Sequence, residues 1–425
     1  MLIPSIDIAN GRVVQWVEGR DEALTAGDPR EWMERFAPLG PVAVVDLDAA
    51  LGRGDNRALI EPLLHMGRVR VGGGIRSVEA ALGWLDAGAE SVVLGTAATP
   101  EILRPLPRDR VIAALDARDG EVVTHGWRTR SGASIAERMT VLRGLVGGFL
   151  VTFVEREGRL GGTDLARAAT LAELSGDAAL TIAGGVTTPE EIAALDALGA
   201  DAQVGMALYT GGLGLADAFA APLRSDRPDG LWATVVADER GRTLGLAWSD
   251  RASLTAAIER RRGIYHSRRR GLWEKGATSG ATQELLAVDV DCDRDCLRFT
   301  VRQRGGFCHT GTRSCFGERR GLDALEARLA ERSSSSAGSY TAKLLGDPAT
   351  LRGKLIEEAE ELAQAQGSED VAAEAADLLY FAMVALRRAG VSLAEVEDEL
   401  DRRGRRVRRR APSAPKGAGA REART

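Results

Sequence analysis

PSIDIANGRVV (residues 4–14) and AALDARDGEVV (residues 113–123) repeat one pattern in two distant places. In each, an apolar residue, Ile6 or Leu115, directly precedes an aspartate, Asp7 or Asp116, and a glycine follows four residues later. The repeat continues downstream. VGGGIRS (71–77) followed by VVLGTAA (92–98) is answered by IAGGVTT (182–188) followed by AQVGMAL (202–208). Short apolar runs such as PVAVVDLDAA (41–50) and RVIAALDA (110–117) alternate here with amphipathic helical patterns. That alternation marks strands joined by crossover helices in a parallel sheet. The internal repeat sharpens the expectation. Four βα units copied once give eight, and residues 1–222 have a length that suits a closed (βα)8 TIM barrel.

The copying also places chemistry. Gly-rich turns at strand ends bring backbone N–H groups and helix N-termini to bear on phosphate. Two such sets, Gly73–Gly74 with Gly95–Thr96 and Gly184–Gly185 with Gly205, imply a ligand with a phosphate at each end. Equivalent positions in the halves put Asp7 and Asp116 across the barrel mouth from one another. One ionised and one protonated carboxyl can then serve as general base and general acid on a substrate held between them. The bland alternative is that both aspartates merely cap βα turns; the symmetry favours the pair.

At 425 residues the chain has room for two or three domains. Net charge −5 argues against a nucleic-acid binder. The start, MLIPSIDIANG, lacks the basic and apolar segments of a signal peptide, and no window approaches a membrane span. All four cysteines (292, 296, 308, 315) fall in one short region, which suggests a metal site in a reducing cytoplasm rather than a disulfide scaffold. APLRSDRPDG (221–230) and RSSSSAGS (332–339) read as linkers. They divide the chain into 1–222, 228–331 and 339–410. Disorder is expected toward the Arg-rich end from Arg402 on, with a tail over 411–425.

In the middle region, LLAVDVDCDRDCLRF (285–299) places Asp at every odd position from 289 to 295. Read as a strand, it gives Asp291, Asp293 and Asp295 one face and Cys292 the other, sharing a face with Cys296. GGFCHTGTRSCF (305–316) adds Cys308 and Cys315. Three thiolates leave one tetrahedral position open, as in a catalytic zinc site, whereas all four would make a closed structural one. In the last region, LRGKLIEEAEELAQA (351–365) and EDVAAEAADLLYFAMVALRRAG (369–390) have helical period, with apolar stripes through Leu355, Leu362, Leu378 and Leu379. Glu358 and Glu361 lie three apart on one helix, as do Glu374 and Asp377 on the next. Facing pairs make an all-oxygen site that favours magnesium, since no His follows residue 309.

These residues carry three resemblances. Residues 1–222 resemble the ProFAR isomerase of histidine biosynthesis, a duplicated half-barrel that performs an Amadori rearrangement of a bisphosphorylated ribotide. The family's catalytic aspartates fall on Asp7 and Asp116. Trp127 matches a Trp that stacks on the substrate's base, and Thr152 a Thr near the reacting ribose. VVDLDAALGRGDN (44–56) resembles the form that also isomerises phosphoribosylanthranilate. TFVEREGRL (152–160) departs from the family, with Glu157 where Asp is usual and Arg159 where Thr is usual.

RRGIYHSRRRGLWEKGATSG (261–280), DCDRD (291–295) and CHTGTRSCF together resemble phosphoribosyl-AMP cyclohydrolase. The resemblance implies zinc on Cys292, Cys308 and Cys315, contributed across a dimer interface, and magnesium on Asp291, Asp293 and Asp295. It implies proton transfer by His309 and substrate contacts from Arg268, Arg269, Trp273 and Lys275. Ala277 and Ala281 stand where that family has polar side chains. SYTAKLLGD (339–347) and the two helices resemble phosphoribosyl-ATP pyrophosphatase, an all-α hydrolase of the MazG-like group. Its acidic motif falls on Glu357, Glu358, Glu361, Glu374 and Asp377, with Lys354 as a phosphate contact. From SDRPDGLWATVV (225–236) onward the chain is similar to the fungal multifunctional histidine enzymes.

The expected enzyme therefore performs three consecutive steps on phosphorylated ribonucleotides, using Zn2+ and Mg2+. A cytoplasmic homodimer is expected, joined through its two hydrolase domains, with no membrane and no nucleic-acid partner. One competing reading is a bifunctional hydrolase whose barrel is degenerate or acts on phosphoribosylanthranilate. Another is a metal-dependent scaffold with a basic nucleic-acid tail.

Overall fold

Leu2–Ala9, Val42–Asp46, Val69–Gly72, Ser91–Leu94, Val111–Arg118, Gly148–Phe153, Ala179–Ala183 and Ala200–Val204 are parallel strands that close on themselves. The computed structural model describes residues 1–17, 21–124, 126–127, 129–317, 319–335 and 339–407, and the eight strands are counted among these. The ring shuts where Leu2 lies opposite Ala202. Helices cover the outside, and the strand positions that face them are apolar: Ile6, Ile8, Val44, Val71, Phe149 and Ile182 are fully buried. The duplication extends further than the quoted motifs. A β-hairpin leaves the ring after the first strand (Arg12–Val17 with Asp21–Gly27) and another after the fifth (Glu121–Thr124 with Thr129–Ser134).

VVDLDAALGRGDN has a structural role that its carboxylates reveal. Asp46, 1% exposed, accepts from Ala49 N (3.0 Å), Asn56 N (2.7 Å) and Asn56 Nδ2 (2.8 Å), which locks the loop after the second strand. Asp48 accepts from Asn10 N at 2.7 Å and so ties this loop to the one after the first strand.

The second unit is a four-stranded sheet among the described residues, ordered Thr243–Ser249, Trp232–Asp238, Cys296–Gln303, Gln283–Val290. Helix Arg251–Arg260 and the hairpin Ile264–Ser267 with Gly271–Glu274 accompany it. The acidic stretch differs from expectation. One strand ends at Val290, the next starts at Cys296, and Asp291–Asp295 form the turn between them. Strand alternation therefore does not group the aspartates, and Cys292 shares no strand with Cys296. The turn is made by Arg294 at φ +70°, a left-handed conformation that an alternating pattern does not signal.

The third unit is helical: Gly321–Ser335, Tyr340–Gly346, Pro348–Gln364, Ser368–Ala389 and Leu393–Gly404. Asp347 caps the third of these by accepting from Ala349 N and Thr350 N. The expected joint at 332–339 is helical as far as Ser335, because Gly321–Ser335 packs Leu329 into a core with Leu344, Leu351, Phe381 and Val384. Burial of that apolar face outweighs the loop preference of serine. Order also continues past Arg402: the last helix reaches Gly404, and Val407 N donates to Asp86 of the barrel at 3.0 Å. The expected tail, 411–425, lies outside the described residues. Arg240, in the turn between strands Trp232–Asp238 and Thr243–Ser249, pairs with Glu397 and lies 3.7 Å from Asp323, which joins the second and third units. Among the described residues no helix is long and apolar enough to cross a membrane.

Candidate active sites

A cavity of about 290 Å³ opens at the carboxyl ends of the barrel strands. Asp7 and Asp116 both line it, as do Gly73, Gly74, Gly95 and Thr96 from one half and Gly184, Gly185 and Gly205 from the other. Gly73 and Gly184 share φ +92°, and a Cβ there would fall 2.2 Å from Asp46 O or 2.5 Å from Phe153 O. Only glycine lets these turns approach the neighbouring strand so closely. Burial raises the Asp7 carboxyl to about 6 even though Ser5 Oγ donates to it at 2.7 Å. Asp116 is also raised by burial, opposed by hydrogen bonds from Trp127 and Thr152. Trp127, expected as a stacking platform, thus holds a catalytic candidate in place.

Glu157 has a larger part than its sequence position suggests. It reaches into the same cavity, and burial, then Asp7 and Asp116, push its carboxyl up to about 8. Arg159 is exposed and does not line the cavity. Ser5 and Trp16 also line the cavity, and Tyr209 packs behind Ser5, three placements outside the sequence expectation. Ser5 was findable, since positions two apart on a strand share a face. Tyr209 donates to Ser5 O at 2.9 Å from the last βα segment, a contact with no local signal.

In the second unit, Cys308 and Cys315 are neighbours. The Thr310 hydroxyl, 3.1 Å from Cys308 Sγ, leads the hydrogen bonds that lower this thiol to about 6, while burial and Cys308 push Cys315 up. A thiolate poised beside a second thiol suits a soft metal. Cys292 is exposed on the acidic turn, and among the described residues no three thiols form one cluster. Cys296 is half-buried at a strand start, where burial raises its thiol. Lys275 is 8% exposed, with its nitrogen 5.5 Å from the Phe307 ring and 5.9 Å from that of Trp273. Burial lowers it, opposed by Cys315 and Cys308, so this cation sits with the thiol pair. Arg268 and Arg269 are exposed at the tip of the small hairpin, and exposed His309 places Nδ1 3.8 Å from Cys308 Sγ. Asp291, Asp293 and Asp295 bring oxygens within 4.8 Å of one another, and repulsion from Asp293 heads the causes that raise Asp295. Such crowded carboxylates fit a hard dication.

In the helical unit, Glu358 is 6% exposed and belongs to two carboxylate clusters, one with Glu357 and Glu361 and one with Glu374 and Asp377. Helical spacing places each pair, and antiparallel packing of Pro348–Gln364 on Ser368–Ala389 brings the pairs together. Burial and Glu361 raise both Glu358 and Glu374. Lys354, expected as a phosphate contact, places Nζ 2.7 Å from Glu357 and 3.6 Å from Glu358, beside the acidic cluster. Leu379, expected in the apolar stripe, is 45% exposed, and Ile356 is 50% exposed.

Comparison with known proteins follows the same three divisions. A family model described as histidine biosynthesis protein matches residues 1–213, one for phosphoribosyl-AMP cyclohydrolase matches 245–317, and one for phosphoribosyl-ATP pyrophosphohydrolase matches 322–404. Both hydrolase families generally use metal ions. The histidine biosynthesis trifunctional protein of Komagataella pastoris is 52% identical over 46% of this chain and 24% of its own length. The histidine biosynthesis bifunctional protein of Schizosaccharomyces pombe is 49% identical over 47% of this chain and 48% of its own. The chain thus spans about a quarter to a half of these relatives. A phosphoribosyl-substituted imidazole-4-carboxamide isomerase of Halobacterium salinarum is 40% identical over 52% of this chain and 96% of its own length. The chain belongs to the histidine biosynthesis protein family, and its isomerase-type barrel is followed by a phosphoribosyl-AMP cyclohydrolase domain and a phosphoribosyl-ATP pyrophosphohydrolase domain.

Proposed function

We propose that this chain catalyses three consecutive steps of histidine biosynthesis: pyrophosphate release from phosphoribosyl-ATP, opening of the adenine ring of phosphoribosyl-AMP, and isomerisation of the resulting ProFAR. The observation that carries the reading is the barrel cavity. Two acid–base carboxyls face it between two copies of one glycine turn, which suits a substrate with a phosphate at either end. An Amadori rearrangement needs a proton delivered to the ribose ring oxygen and another removed from C2. Asp7, at about 6, is ionised at neutral pH yet basic enough to take the C2 proton. Asp116, oriented by Trp127 and Thr152, delivers the other. The carboxylate form of Asp7 is present above about pH 6 and lost below it. kcat/KM for isomerisation therefore falls about tenfold per unit on the acid side. A profile that stays flat from about pH 7 to about pH 5 contradicts this assignment.

For ring opening, Cys308 and Cys315 hold zinc with Cys292 of a second copy, which the exposure of Cys292 supports. Zinc held by these thiols would supply a water made nucleophilic near neutral pH. His309 moves the proton to the ring nitrogen, and Lys275, Arg268, Arg269 and Trp273 hold the nucleotide. Asp291, Asp293 and Asp295 take magnesium. For pyrophosphate release, Glu358, Glu361, Glu374 and Asp377 hold magnesium, which neutralises phosphate charge. Lys354, beside these carboxylates, would engage a phosphate oxygen. A homodimer is supported by the uncovered Ile356 and Leu379.

Glu361→Gln removes one charge from the four-carboxylate set. The expected result is loss of pyrophosphate release at limiting magnesium, with partial return as magnesium is raised. Equal rates for wild type and variant at every magnesium concentration contradict the placement.

A further inference from the structure

Arg294 stands inside the acidic turn, and none of the three reactions uses it. Its φ of +70° is a conformation that a side chain other than glycine keeps only when its surroundings hold it. The surroundings here belong to the barrel. Arg294 Nε lies 3.3 and 3.2 Å from the two carboxylate oxygens of Asp196, and Nη2 lies 3.0 Å from Oδ1. Asp196, near the end of helix Pro189–Ala197, is 8% exposed at its side chain. The same guanidinium donates from Nη1 to Asp291 O at 2.9 Å, and Arg294 O accepts from Arg224 N at 2.8 Å. Asp291 Oδ1 in turn accepts from Asp295 N and Cys296 N, 3.1 Å each. One arginine thus links a nearly buried barrel carboxylate to the backbone of the turn that gathers three aspartates.

We propose that the Asp196–Arg294 ion pair is a positioning clasp, by which the barrel holds the acidic turn of the cyclohydrolase domain in its cation-binding shape. The inference rests on the metal reading of Asp291, Asp293 and Asp295. Arg294 and Asp196 are positioning residues; neither supplies a ligand. The sign of the effect separates this role from simple electrostatics. Removing a positive charge beside three carboxylates should by Coulomb's law tighten cation binding. Removing a clasp should loosen it.

The test is binding of Mn2+ to the full chain, followed by electron paramagnetic resonance without substrate, for the class of site that Asp293→Asn eliminates. Removing a partner that orients metal ligands typically costs about ten- to a hundredfold in affinity. The clasp holds the backbone of the turn, so about a tenfold loss is expected for both Asp196→Ala and Arg294→Ala. Asp196→Asn, which keeps a hydrogen-bond acceptor, should lose less. The magnesium concentration for half-maximal ring opening should rise in parallel, with kcat restored at saturation and isomerisation unchanged. Equal Mn2+ affinity in wild type and both Asp196 variants overturns the clasp, as does tighter binding by Arg294→Ala. Wild-type protein without any Mn2+ class sensitive to Asp293→Asn overturns the metal reading and the clasp with it.

Discussion

Cys308→Ser abolishes ring opening of phosphoribosyl-AMP and leaves pyrophosphate release intact. Cys308 is the thiol that its hydrogen bonds, led by Thr310, bring to about 6, so it is largely thiolate at neutral pH, beside Cys315. A serine hydroxyl keeps its proton there and is a poor ligand for a soft metal. The loss should exceed the roughly hundredfold seen when a partner outside the ligand set is removed. In the proposed function pyrophosphate release draws on Glu358, Glu361, Glu374 and Asp377, which sit in the separate helical unit and share no ligand with the thiols. The check is zinc content by metal analysis, alongside both assays on one preparation. Ring opening at the wild-type rate in a zinc-free variant contradicts the site. Cys296→Ser should keep zinc and activity, because that thiol is half-buried at a strand start, where burial raises it. Loss of a zinc equivalent there would instead favour a four-thiolate structural site.

Asp7→Asn abolishes isomerisation, and Asp116→Asn strongly reduces it. An amide cannot take or deliver the proton, and general acid–base groups contribute about 10²–10⁴-fold. The substitution is nearly isosteric, so the cavity keeps its shape. It also removes a carboxyl whose ionisation burial disfavours, so thermal stability at neutral pH should hold or rise. Activity lost together with a lowered Tm would point to collapse of the mouth rather than to missing acid–base chemistry. Glu157 and Arg159 should hold the wild-type rate below that of a dedicated isomerase. A displacement of about 1 Å in a positioned group can cost about a hundredfold.

The parts of this molecule that were legible in its sequence share one property: their signal is periodic or repeated. The half-barrel copy is visible because Asp7 and Asp116 recur with their glycines, and the eight-strand ring follows. The bundle carboxylates are visible because spacing of three puts Glu358 beside Glu361 and Glu374 beside Asp377. What failed was inference from a pattern that two backbones can satisfy. The Asp-x-Asp-x-Asp stretch matches strand alternation, yet it is a turn fixed by one left-handed arginine and a carboxylate from another unit. The Ser-rich segment reads as a joint by composition, yet its first part is helical because Leu329 needs a core. The place of Trp16, the bond from Tyr209 to Ser5 and the convergence of Glu157 with both aspartates depend on distant elements meeting. No local pattern encodes those meetings.

The central claim is that one chain carries phosphoribosyl-ATP through all three steps. Its most direct test gives the purified 425-residue chain phosphoribosyl-ATP with magnesium and zinc, and follows pyrophosphate and every nucleotide product by chromatography. The account predicts pyrophosphate release, transient phosphoribosyl-AMP and ProFAR, and accumulation of the isomerised ketose. Accumulation of ProFAR without ketose, at the level of an Asp7→Asn, Asp116→Asn blank, would contradict it.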